Sequence, residues 1–154
     1  LYAWMQYGFK PDIMSTAKGL GGGLPIGACL FGEKTENVLT AGTHGSTFGG
    51  NPVVCAGALT ILDRIDDKLL ADVKAKSAYL FEAFTGAPGI KAVTGMGLMI
   101  GLQTEKPAAE VVAACMANGV LVLTAHGRVR LLPALNIPME LVKKAAEVIR
   151  AACA

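Results

Sequence analysis

Lys18 is the only charged residue in the stretch Ser-Thr-Ala-Lys-Gly-Leu-Gly-Gly-Gly-Leu-Pro, residues 15–25. A lysine amine attacks a carbonyl only in its neutral form, and an ordinary lysine is protonated at neutral pH. Enzymes overcome this by desolvating the amine or by joining it to an aldehyde cofactor as a Schiff base. Lys18 is therefore a candidate reactive amine. The pattern alone leaves open the alternative that it is a solvated lysine in a loop.

The glycines that follow, Gly21, Gly22 and Gly23, allow two interpretations. Backbone amides of a glycine-rich turn can surround a phosphate group. This run, however, matches neither the Walker pattern nor Gly-x-Gly-x-x-Gly, and Pro25 leads into a predicted strand rather than a helix. The residues favour a tight turn that needs positive φ angles. A phosphate- or nucleotide-binding module built on this turn is the weaker hypothesis.

Residues 43–51 form a second polar segment, Thr-His-Gly-Ser-Thr-Phe-Gly-Gly-Asn, directly before a predicted helix. Hydroxyl groups and free amides at a helix N-terminus suit an anion. The same residue types also occur where a loop only caps a helix. Both interpretations stay open from the sequence.

Arg128 and Arg130 alternate with apolar residues on a predicted strand. They could be solvated charges on an edge strand, or one of them could bind a carboxylate in bidentate fashion. His44 and His126 have no acidic or cysteine neighbours at metal-ligand spacing, so we interpret both as structural and predict no metal site.

The composition limits the function classes. Of the 154 residues, 53% are hydrophobic and 17% charged, which supports a sizeable core and argues against disorder. A net charge of +2 without a basic block argues against nucleic acid as the main partner. No apolar run is long enough for a membrane span. The four cysteines are far apart and form no Cys-x-x-Cys pair, which predicts reduced thiols and a cytoplasmic protein.

Periodicity and turn signals predict an α/β region followed by a small α+β region. We expect the first to end near residue 70 (domain 1–70) and the second to span residues 71–154. In chain order, we predict buried strands at 12–17 and 25–31, a short helix at 34–41, a helix from Asn51-Pro52, a helix at 67–84, strands at 90–93 and 98–102, a helix at 107–117, a hairpin of 120–124 and 129–132, and a helix at 138–152.

Four segments together resemble one enzyme family. They are PDIMSTAKGLGGGLPIGA (residues 11–28), HGSTFGGNPVVCAGAL (44–59), GMGLMIGL (95–102) and VRLLPALNI (129–137). In this order they are similar to the class III aminotransferases, a branch of the fold-type-I pyridoxal-phosphate enzymes. The resemblance covers nearly the whole chain and implies the end of a large cofactor-binding domain followed by the small C-terminal domain.

The resemblance assigns roles to four residues. Lys18 matches the lysine that holds pyridoxal 5'-phosphate covalently and transfers the proton. Thr47 matches the threonine that reaches the cofactor phosphate of the other subunit, and Ser46 lies beside the substrate. Arg130 matches an arginine that binds or gates a substrate carboxylate. The family therefore implies a homodimer with shared active sites.

The implied reaction transfers an amino group to 2-oxoglutarate. N-acetylornithine, in arginine biosynthesis, is the favoured donor, with ornithine or 4-aminobutyrate as alternatives. A non-catalytic fragment or dimerisation module is the alternative of another class. The sequence departs from the family at Thr94, where an arginine is usual. The chain also begins past the family's middle, without initiator Met, so we expect a fragment that is nearly inactive alone.

Overall fold

The computed structural model describes residues 1–154 and divides them into two compact units, Leu1–Asp67 and Lys68–Ala154. We call them the N-terminal unit and the C-terminal unit. Their assignment to a large and a small domain with a boundary at residues 70 and 71 stays a prediction. No helix in either unit is both long and apolar enough to cross a membrane.

The N-terminal unit combines a small sheet with one long helix. Strands β1 (Ile13–Thr16) and β2 (Ala28–Phe31) pair antiparallel. Two single-turn 3-10 helices, Ala3–Gln6 and Lys18–Gly21, and helix α1 (Pro52–Arg64) complete the unit. Helix α1 begins where the sequence predicts, because the Asn51 side chain accepts hydrogen bonds from the amides of Val53 (3.0 Å) and Val54 (3.3 Å).

Two predictions for this unit are wrong. Residues 34–41 form turns rather than a helix. The Thr35 hydroxyl donates to the carbonyls of Asp12 (2.9 Å) and Gly32 (3.2 Å), and such bonds from a threonine side chain to the backbone compete with helix formation. The strands at 12–17 and 25–31 are shorter than predicted and are not buried, and all four residues of β2 are exposed. An apolar run indicates a strand, but it does not show what covers that strand.

The C-terminal unit is a four-stranded antiparallel sheet in the order β3-β4-β6-β5, combined with three helices. Its elements are, in chain order, α2 (Asp67–Phe84), β3 (Ile90–Met96), β4 (Met99–Thr104), α3 (Ala108–Ala117), β5 (Leu123–Ala125), β6 (Arg128–Leu131) and α4 (Met139–Cys153). The order of helices and strands agrees with the prediction. The hairpin turn His126-Gly127 has positive φ at both residues, 49° and 72°, as a two-residue turn of this kind requires.

The core of the C-terminal unit lies between one face of this sheet and the helices. Fully buried side chains include Phe84, Ile100, Leu102, Val111 and Val129. Along α4 the buried side chains are Val142, Ala146, Ile149 and Cys153, whereas Leu141 is 48% exposed.

Candidate functional site

Lys18 lies at the point where the chain leaves β1 and enters the 3-10 turn Lys18–Gly21. Its φ angle is 53°, in the left-handed region, which is strained for a residue with a side chain. The side chain is exposed, and its Nζ atom has no hydrogen-bond or ion-pair partner in the structure. Strained backbone at a residue with a side chain occurs more often at functional sites than elsewhere.

The glycines after Lys18 form a tight turn packed closely against α1. Gly22 and Gly23 have φ angles of 60° and 109°, as the turn interpretation predicts. A Cβ atom on Gly22 would lie 2.7 Å from two side-chain carbons of Ile61. A Cβ atom on Gly57 of α1 would lie 3.3 Å from the carbonyl oxygen of Gly21. The turn that carries Lys18 therefore packs so closely on the helix that a side chain at Gly22 would clash with Ile61.

Ser46 and Thr47 lie in an exposed loop before α1. Neither hydroxyl makes a hydrogen bond within the chain. Asn51 already occupies the amides of Val53 and Val54, so these two amides serve the helix cap rather than an anion. The hydroxyl groups of Ser46 and Thr47 are therefore free to bind a ligand.

Arg130 lies on β6, which has β4 on one side and β5 on the other. Because β6 is an interior strand, the interpretation of its arginines as edge charges is wrong. Arg130 is half-buried, and its Nε atom is buried without a hydrogen-bond partner. Its neighbour Arg128 donates from Nη1 to the hydroxyl of Thr94 at 2.6 Å.

The predicted site residues divide between the units. Lys18, Ser46 and Thr47 belong to the N-terminal unit, and Arg130 belongs to the C-terminal unit. Sequence reasoning missed the contact between Arg128 and Thr94, which are 34 residues apart, because no local signal marks it. No group of three or more His, Cys, Asp or Glu side chains is arranged to hold a metal ion.

Comparison with known proteins identifies a family. The family model "Aminotransferase class-III" matches residues 1–153. Acetylornithine aminotransferase of Haemophilus ducreyi is 42% identical over 151 residues, which are 97% of this chain and 38% of the relative. The enzyme of that name from Aquifex aeolicus is 40% identical over 150 residues, 97% of this chain and 39% of the relative.

Solved structures agree with this comparison. The crystal structure of acetylornithine aminotransferase from Elizabethkingia anophelis matches with a TM-score of 0.85 and 30% identity, covering 97% of this chain and 40% of that one. Ornithine aminotransferase from Toxoplasma gondii matches with a TM-score of 0.81 and 33% identity, covering 93% and 37%. The fold is thus an α/β arrangement similar to part of these enzymes. The chain spans about two fifths of the length of the relatives it matches.

Proposed function

Because this chain belongs to the class III aminotransferases, we propose that it is part of a pyridoxal-phosphate-dependent aminotransferase in which Lys18 binds the cofactor. The observation that supports this role is the free, exposed amine of Lys18 on left-handed backbone. An aldehyde cofactor needs an amine that no carboxylate holds, and Lys18 meets that requirement. Lys34, in contrast, forms an ion pair with Asp12 at 3.2 Å.

When bound, pyridoxal phosphate supplies an electron sink for the substrate carbon that loses its proton. Lys18 would attach to the cofactor through Nζ and, once released, would move that proton as a general base and acid. Its strained φ angle fixes the direction in which the chain leaves β1. The close packing of Gly22 on Ile61 limits the movement of this turn relative to α1. The chain's own contribution is therefore a positioned amine.

The other three residues would bind rather than react. The exposed hydroxyl of Thr47 can donate a hydrogen bond to a phosphate oxygen, and we assign it to the cofactor phosphate of the second subunit in a homodimer. Ser46 beside it is assigned to the substrate. Arg130 is assigned to a substrate carboxylate, because no carboxylate of the chain pairs with it and a guanidinium binds carboxylate in bidentate fashion.

For the substrates, we propose N-acetylornithine as amino donor and 2-oxoglutarate as acceptor, which places the protein in arginine biosynthesis. The names of the relatives at about 40% identity support this choice. Ornithine is the second candidate, supported by the structural match to an ornithine aminotransferase, and 4-aminobutyrate is the third. We also propose a cytoplasmic location, a compartment in which cysteines such as these four free ones stay reduced.

Covalent labelling tests the role of Lys18. The purified chain is incubated with pyridoxal phosphate and reduced with borohydride, and the modified lysine is located by mass spectrometry. We expect label at Lys18 at low cofactor concentration, lost in Lys18→Ala and retained in the matched surface variant Lys34→Ala. Equal labelling of Lys18 and Lys34 would contradict the proposal.

A second measurement tests the donor. The full-length protein is given N-acetylornithine, ornithine or 4-aminobutyrate with 2-oxoglutarate, and glutamate formation is followed. We expect the highest kcat/KM with N-acetylornithine. A higher kcat/KM with ornithine would make ornithine the amino donor in place of N-acetylornithine, and the assignment as an aminotransferase would stand.

A further inference from the structure

A cavity of about 600 Å³ lies in the C-terminal unit, between the end of α2 and helix α4. This volume is within the range of small-molecule binding sites. None of the residues assigned above to the cofactor or the substrate lines this cavity. The lining residues come from the last turns of α2, the loop that follows it and one position of α4: Tyr79, Glu82, Ala83, Thr85, Gly86, Ala87, Pro88 and Arg150.

The two charged residues of this cavity stand on different helices and do not pair with each other. Glu82 belongs to α2 and Arg150 belongs to α4. Neither takes part in either of the two ion pairs of the chain, and neither side chain makes a hydrogen bond within it. The cavity therefore presents one negative and one positive group, and each is free to bind a ligand.

The end of α2 adds hydrogen-bond acceptors beside Glu82. The amides of Thr85 and Ala87 donate to other carbonyls of the last turn, at 3.0 Å and 3.1 Å. The carbonyls of Glu82 and Ala83 receive no backbone hydrogen bond. Carbonyls at the C-terminal end of a helix carry the negative end of its dipole and favour a cation. Together with the Glu82 carboxylate, they favour an ammonium group.

The cavity also has an apolar part. The ammonium of Lys143 lies 5.8 Å from the centre of the Tyr79 ring, a cation–π contact that orients the ring. Ala83, Ala87 and Pro88 add small apolar groups to the lining. An apolar side chain of a ligand can pack here, while the charged groups of the ligand bind the two charged residues.

We propose that this cavity binds a free α-amino acid with an apolar side chain, with its carboxylate on Arg150 and its ammonium on Glu82 and the end of α2. A guanidinium binds a carboxylate through two parallel hydrogen bonds. A free amino acid supplies both charges, whereas an amine or a carboxylate alone leaves one charge of the cavity without a partner. The proposal concerns binding alone and does not rest on the proposed aminotransferase reaction.

Three ligands that differ only in their charges test this proposal. Nitrogen-15-labelled protein is titrated with L-leucine, with N-acetyl-L-leucine, which lacks the ammonium, and with L-leucinamide, which lacks the carboxylate. The backbone amide signals of Thr85, Gly86 and Ala87 are followed by NMR, so binding elsewhere in the protein does not enter the affinities. We expect L-leucine to bind at least about tenfold more tightly than either analogue, the effect of one charged hydrogen-bonded contact.

Two variants identify which residue binds which end of the ligand. Arg150→Gln should weaken the binding of L-leucine by about tenfold or more and leave the binding of L-leucinamide unchanged. Glu82→Gln should weaken the binding of L-leucine to a similar extent and leave that of N-acetyl-L-leucine unchanged. Both residues are exposed, and the unchanged binding of one analogue shows that each variant is folded.

The matched controls lie on α4 outside the cavity. Lys144→Gln removes a positive charge and Glu140→Gln removes a negative charge, each at an exposed position, and neither should change the affinity for L-leucine. Equal affinities for the three ligands, or no shift of the cavity amides with L-leucine, would overturn the proposal. A loss of affinity in Lys144→Gln equal to that in Arg150→Gln would also overturn it, because the effect would then be one of net charge.

Discussion

The N-terminal and C-terminal units bury their apolar side chains to different extents. In the C-terminal unit Phe84, Ile100 and Leu102 are completely buried. In the N-terminal unit Ala58 is the one buried hydrophobic residue, while Phe48 is 83% exposed. Both units have well-formed helices and strands, so the difference lies in packing rather than in secondary structure.

This difference separates the stable part of the chain from the part with the candidate reactive amine. The C-terminal unit supplies a core of its own, which is the main source of folding free energy. Lys18, Ser46 and Thr47 lie in the unit without such a core. Exposed apolar surface of this extent is normally covered by other protein, in agreement with the homodimer we propose.

Truncation of a core side chain should have the largest effect on stability. We expect Phe84→Ala to lower the free energy of unfolding by about 3–5 kcal/mol, because it removes buried contacts and leaves a cavity. Phe48→Ala, the matched change at an exposed site, should stay within about 0.5 kcal/mol. Urea unfolding followed by circular dichroism measures both. A similar loss of unfolding free energy in the two variants would show that the units do not differ in the packing of their apolar side chains.

The two ion pairs allow a second comparison of the units, between a buried and an exposed pair. Lys76 is buried in the C-terminal unit, where it donates to Asp72 and to the carbonyl of Leu135 at 3.2 Å. Asp72→Asn should cost about 1–3 kcal/mol, because it leaves a buried ammonium without its counter-charge. Lys76→Met removes that charge and should change stability by less than about 1.5 kcal/mol.

The control is the exposed pair of the N-terminal unit, Lys34 with Asp12, whose side chains are 79% and 54% exposed. Asp12→Asn should change stability by less than about 0.5 kcal/mol, since water screens both charges. Urea unfolding of Asp72→Asn, Lys76→Met and Asp12→Asn at low and high salt measures the three changes in stability. A larger loss in Asp12→Asn than in Asp72→Asn would show that burial does not govern these pairs.

The smallest predicted effect on stability at neutral pH is that of the buried thiols of Cys115 and Cys153. Burial raises the pKa of Cys115, and the pKa of Cys153 is raised by burial and by Cys115, with Lys106 acting in the opposite direction. Unfolded thiols ionise near pH 8.5, as model compounds do, whereas the folded thiols stay neutral to higher pH. The unfolded state then binds fewer protons, so stability falls as pH rises above about 8.5.

Urea unfolding at pH 7 to 10 measures this loss. The decline should be shallower in Cys115→Ala and in Cys153→Ala, when each variant is compared with its own stability at pH 7. Cys29→Ala should decline like the parent chain, because Cys29 is exposed in the N-terminal unit. An identical pH dependence in all variants would rule out the buried thiols as its cause.

Local signals predicted most helices well. The helix predicted at 67–84 has the bounds of α2, and Asn51-Pro52 begins α1. Such bounds depend on caps and turn residues within a few positions of each other. The prediction failed at 34–41, where a Thr35 hydroxyl bonds to Asp12, more than twenty residues earlier in the chain.

The order of helices and strands in the C-terminal unit and Lys18 as a candidate amine could be predicted from residue types and short-range spacing, and the family from the resemblance of four segments. That β6 is an interior strand, that Lys76 is buried and that Arg128 donates to Thr94 became evident from the folded structure. Burial and pairing depend on residues that are distant in the chain and adjacent only after folding. No periodicity within one segment contains that information.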